Sequence, residues 1–221
     1  MLFLEPTVEF EPLDWAREPV HKIIPTEHWV EYWADYFNGF GIQPSYFGSW
    51  YISVSILQEP QLLRRLMLLV LSGSGVVGFP DSDGEEMDDD TECFMPLNGG
   101  YILRKAENVL FTPHCCCDLG DINDWQEIAE WQGTEWHCLS MGHAMMEVRR
   151  QGVQVILREN SEYRNCDPII EVLKVSELKA TIDSAREILV SFKERLVPVL
   201  FDLLKDQERS TNLAKLFTGL A

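Results

Sequence analysis

Residues 135–158 read Glu135-Trp-His-Cys-Leu-Ser-Met-Gly-His-Ala-Met-Met-Glu-Val-Arg-Arg-Gln-Gly-Val-Gln-Val-Ile-Leu-Arg158, and this stretch decides the fold class. Short apolar runs alternate with polar residues at a period of two, the spacing that puts one face of a strand in the core. Three strands are expected, over 135–141, 145–149 and 153–158, with turns at Gly142-His143 and Gln151-Gly152. Such closely spaced strands form an antiparallel meander.

Downstream the period changes to that of a helix. Leu178, Ile182, Ala185, Leu189, Phe192 and Leu196 form one apolar seam with charges opposite. Ser176 reads as the cap of this helix, and Pro198 is expected to kink or break it before Val199–Leu204. Residues 206–221 carry a weaker pattern and read as a tail that frays or pairs with another chain.

Upstream, Asn98-Gly99 reads as a hairpin turn between strands at 93–97 and 101–104, with a further strand near 109–112. Asn123-x-x-Gln126 resembles a capping box that opens a short helix, with Trp125, Ile128 and Ala129 on one side. Nearer the N-terminus, a short strand is expected at 7–10. A helix capped by Thr26 follows, with Trp29, Trp33, Phe37 and Phe40 at helical spacing, closed by Gly39 and Gly41. That aromatic stripe reads as core packing. Ser49–Leu57 reads as a strand, 62–71 as a largely buried helix behind Pro60, and 76–79 as a short strand. The expected architecture is a single α+β domain over 1–205. Its mixed or antiparallel sheet packs against a long C-terminal helix and two or three shorter ones.

The densest chemistry lies between strand and helix, at His114-Cys115-Cys116-Cys117-Asp118. Histidine and thiolate ligate zinc, so His114, Cys115, Cys116 and Cys117 are candidate ligands, with His137 and Cys138 on the next long strand completing a tetrahedral set. His143 and Cys93 are further partners. A cysteine nucleophile is the other chemical option, Cys116 or Cys117 with His137 or His143 as base. No CxxC or HxxxH spacing supports either option, and buried free thiols account for the cluster with no cofactor. In an extended strand, Cys115 and Cys117 face one way, His114 and Cys116 the other. Asp118 is expected to accept backbone N–H bonds in the turn through Gly120.

The chain carries a net charge of −18 over 221 residues. Such a field opposes direct binding to nucleic acid or to anionic membrane and favours a basic protein partner. The charge is densest at 80–92, an acidic loop in which Asp81, Asp83, Glu85, Glu86, Asp88, Asp89 and Asp90 are candidate partner-binding residues. Its spacing does not match a calcium loop. With no apolar run long enough to span a bilayer and no leader-like start, a cytoplasmic protein with reduced thiols is the default expectation. Walker, dinucleotide-binding and hydrolase-elbow signatures are missing from the sequence, which lowers an enzymatic reading.

The segment from Pro113 to Trp125, with Cys-Cys-x-Asp-Leu ahead of a tryptophan-bearing helix and Met141-Gly142-His143 later, resembles uncharacterised bacterial proteins over about residues 98–158. In size, α+β make-up and acidity the chain is also similar to immunity proteins that neutralise bacterial toxins. That likeness implies a non-enzymatic inhibitor of a basic partner. A structural subunit, dimerising along the long C-terminal helix, is the remaining option.

Overall fold

The computed structural model describes residues 1–10, 28–39, 41–46, 49–73, 95–113, 116–139, 141, 145–160 and 169–220. The fold is α+β; the described residues form two four-stranded sheets and five α-helices, and every strand pairing among them is antiparallel. Expectations at Thr26, at the 76–79 strand, at the 80–92 acidic loop and at the Gly142-His143 turn lie outside the described residues.

The first sheet has the order β2-β1-β3-β4, where β1 is Leu2–Glu9, β2 Tyr51–Ser53, β3 Gly99–Lys105 and β4 Asn108–Phe111. Strand β2 is shorter than its alternating sequence predicts and covers only Thr7–Glu9 of β1. The rest of that edge is satisfied otherwise. Val54 N donates to Pro6 O (3.1 Å), and Leu4 N donates to the Thr181 hydroxyl (3.0 Å) of the long helix described below. Leu4 N and Pro6 N lie on the same side of the strand, so the N–H that Pro6 lacks falls where β2 has already ended.

The Asn98-Gly99 turn is not there. Gly99 is the first residue of β3 and lies opposite Val8, and the chain reverses at Ala106-Glu107 instead. A Cβ at Gly99 would stand 2.1 Å from Thr7 O, so glycine is needed here for close backbone approach. Within the stretch read as a strand at 93–97, residues 95–97 are not in one.

The second sheet is the expected meander, extended by one strand, in the order β5-β6-β7-β8. Its strands are β5 His137–Leu139, β6 Met145–Gln151, β7 Gln154–Asn160 and β8 Ile169–Lys174. Gly152 takes the positive φ (+61°) that the β6–β7 turn requires.

Helix α1 covers Trp29–Gly39, and α2 (Pro60–Gly73) begins as read, with proline in its first turn. Phe37 of the aromatic stripe is buried. Helix α3 covers Ile122–Glu130 and α4 Val175–Leu204. All six residues of the predicted α4 seam are buried. The cap position of α4 is Lys174, not Ser176, and the helix runs on past Pro198 to Leu204. The segment expected to be a tail forms α5 (Gln207–Thr218), started by Asp206, whose carboxylate accepts from Arg209 N (2.9 Å). Leu213, Ala214 and Phe217 of α5 join a buried hydrophobic cluster that also draws on both sheets and on α2, α3 and α4. No described helix is long and apolar enough to cross a membrane.

Candidate functional site

The cysteine segment leaves β4 through Pro113, whose carbonyl accepts from the Tyr51 hydroxyl (2.9 Å). His114 and Cys115 lie outside the described residues. Cys116 is exposed, with a left-handed φ of +70°, so the segment turns here and does not continue as an extended strand. The face alternation expected for a strand therefore fails at Cys116. Cys117 is buried against Gly100, and its carbonyl accepts from Gly99 N (3.0 Å).

Asp118 then acts as the backbone acceptor foreseen for it, taking the Gly120 N–H. Asp121 returns the bond, its carboxylate accepting from Asp118 N (3.2 Å). This reciprocal box caps a 3₁₀ turn over Leu119–Asp121 and replaces the one expected at Asn123 and Gln126. From below, the buried Tyr101 hydroxyl donates to Leu119 O (2.7 Å). Burial, and next the charge of Asp118, push the Asp121 carboxyl up to about 7; hydrogen bonds from Asp118 N and Cys117 pull it partly back.

The box is the first step of a longer row. Asp118, Asp121, Asp124, Glu127 and Glu130 follow at intervals of three through the turn and α3. On a helix such residues are neighbours along an inclined ridge, and like charges there repel. The opposite flank anchors the ridge: Ile122, Trp125, Ile128 and Ala129 are buried, and Trp125 meets Phe111 edge to face at 5.9 Å. Burial, then the charges of Glu127 and Asp118, raise the Asp124 carboxyl too.

Among the described residues little compensates this row. His137 Nε2 lies 2.9 Å from Glu127 Oε1, with its ring stacked on Trp131 at 4.0 Å. Arg186 of α4 donates to the Asn123 amide oxygen (3.2 Å), a neutral partner. A recess of about 420 Å³ opens beside the ridge, bordered by Glu127, Glu130 and Trp131. The sequence signal for the ridge is the acidic three-residue period between 118 and 130, which a search for apolar periodicity passes over.

Four residues of the candidate zinc set, Cys116, Cys117, His137 and Cys138, lie within the described residues. Cys116 is exposed and Cys117 buried; His137 is engaged by Glu127 and Trp131; Cys138, adjacent on β5, is exposed. Successive strand residues point to opposite faces, so His137 and Cys138 diverge. Among the described residues no three His, Cys, Asp or Glu side chains are grouped to hold a metal ion. His143, Cys93 and the acidic residues Asp81 to Asp90 lie outside the described residues.

No protein-family model, curated protein or solved structure matches this chain.

Proposed function

We propose that this chain is a non-enzymatic binding protein, immunity-like in character, that presents the ridge from Asp118 to Glu130 to a basic protein partner. The observation that carries the reading is the row itself: five carboxylates at three-residue spacing, against which the described residues set His137 beside Glu127. Lysine or arginine side chains from a partner would relieve the repulsion and favour the ionised carboxylates. The net charge of −18 would steer such a partner in.

Octalysine serves as a defined basic probe. The triple variant Asp124→Asn/Glu127→Gln/Glu130→Gln should weaken its binding about tenfold at ~0.1 M salt, from three lost ion pairs of roughly 0.5 kcal/mol each. A control variant removes three exposed carboxylates elsewhere, Asp183→Asn/Glu187→Gln/Glu208→Gln. It should cost no more than about twofold, as expected for the diffuse field alone. Equal losses in the two variants would reduce the ridge to one part of that field and overturn the proposal.

A further inference from the structure

A cavity lies far from the ridge in sequence, between the start of α2 and the last turns of α4. It is an open groove of about 760 Å³, a volume typical of small-molecule sites. Its apolar lining includes Leu63 and Val199, both buried, with Pro60 and Pro198 beside them. Three arginines also line it, Arg64, Arg65 and Arg195, against two carboxylates, Glu194 and Asp202. Among the described lining residues arginines thus outnumber carboxylates, in a chain with twice as many acidic as basic residues.

The partners of these groups sharpen the imbalance. Asp202 is held by two cations, Arg64 Nε at 2.9 Å and Lys205 Nζ at 2.8 Å. One carboxylate therefore cannot neutralise Arg64. Arg195 is fixed by neutral acceptors, donating to Ser191 Oγ (2.7 Å) and to Val54 O (3.2 Å). Its Nε is buried and has no hydrogen-bond partner among the described residues. A buried donor of this kind normally finds an acceptor.

We infer that the groove between α2 and α4 binds a small amphipathic anion, with a carboxylate, sulfonate or phosphate group at the arginines and an apolar body along Leu63 and Val199. The guanidinium fork suits planar or tetrahedral oxyanions, and a drug-sized ligand fits the volume. The groove and the acidic ridge share no residue, so each proposal can fail while the other stands.

Two fluorescent probes test this on the folded full-length chain: 8-anilinonaphthalene-1-sulfonate, an amphipathic anion, and its uncharged relative N-phenyl-1-naphthylamine. The sulfonate should bind saturably at one site. Arg64→Gln/Arg65→Gln, two exposed positions, should weaken it about tenfold and change the uncharged probe by less than about twofold. Gln61→Trp, which fills the groove mouth, should weaken both probes. Thermal melts of each variant separate these effects from unfolding. Non-saturable sulfonate binding, equal arginine dependence for the two probes, or insensitivity to Gln61→Trp would each overturn the assignment.

Discussion

Asp121 shows how a single side chain can hold a turn together and still weaken the fold. Its carboxylate closes the box with Asp118, but burial and the neighbouring charges raise it from the ordinary carboxylate range to about 7. A group that binds its proton more tightly when folded contributes stability that is complete below about pH 4. That stability is lost as the pH rises through about 7. Asp121→Asn keeps an oxygen acceptor for Asp118 N and removes the ionisation. The variant should match the parent at pH 4 and exceed it by roughly 1–2 kcal/mol at pH 8, allowing for solvent screening of a partly exposed group. Urea unfolding at the two pH values measures this. A variant less stable at both would show that the box needs the carboxylate itself.

At the scale of elements, the N-terminal strand is held by the C-terminal helix as well as by its own sheet. The Thr181 hydroxyl accepts from Leu4 N and donates to Leu2 O (3.3 Å), on the stretch of β1 that β2 leaves uncovered. Thr181→Val keeps the shape but strands a buried N–H, which should cost about 1–3 kcal/mol in urea unfolding. A neutral result would mean that the edge finds another donor and acceptor. A bond of this kind is invisible in sequence, because it joins residues 177 positions apart. Elements defined by their own periodicity were legible: β6, β7 and the α4 seam emerge from spacing alone. Elements that depend on a neighbour were not. Strand β8 carries a mixed pattern, with Ile169 and Val172 exposed, and exists by pairing with β7. Gly99 serves close approach to β1 but reads as a turn because glycine supplies both needs. The site divides in the same way. Asp118 as a local acceptor was readable, whereas Asp121 owes its character to burial, and the strand-like alternation of the cysteines ends where Cys116 takes a left-handed turn.

For the whole molecule the question is whether the two sheets form one cooperative unit. Helix α4 touches both. Its first residue, Val175, donates to Val153 O in the β6–β7 turn (3.1 Å), and two turns later Thr181 holds β1. Leu178 lies between these anchors and is fully buried in the cluster that both sheets share. Lys105, at the end of β3, adds an ion pair to Glu171 of β8 at 3.3 Å, partly exposed and so a minor contribution. Leu178→Ala removes apolar volume from this junction and should cost about 2–5 kcal/mol, because a packed core closes only partly over the cavity. If the sheets unfold together, native-state hydrogen exchange in β1 and β3 and in β6 and β7 should report the same opening free energy, lowered by the same amount in the variant. A loss confined to one pair of strands would divide the molecule at α4 into two units. In that case the helix would be a bridge between sheets and not the centre of one core.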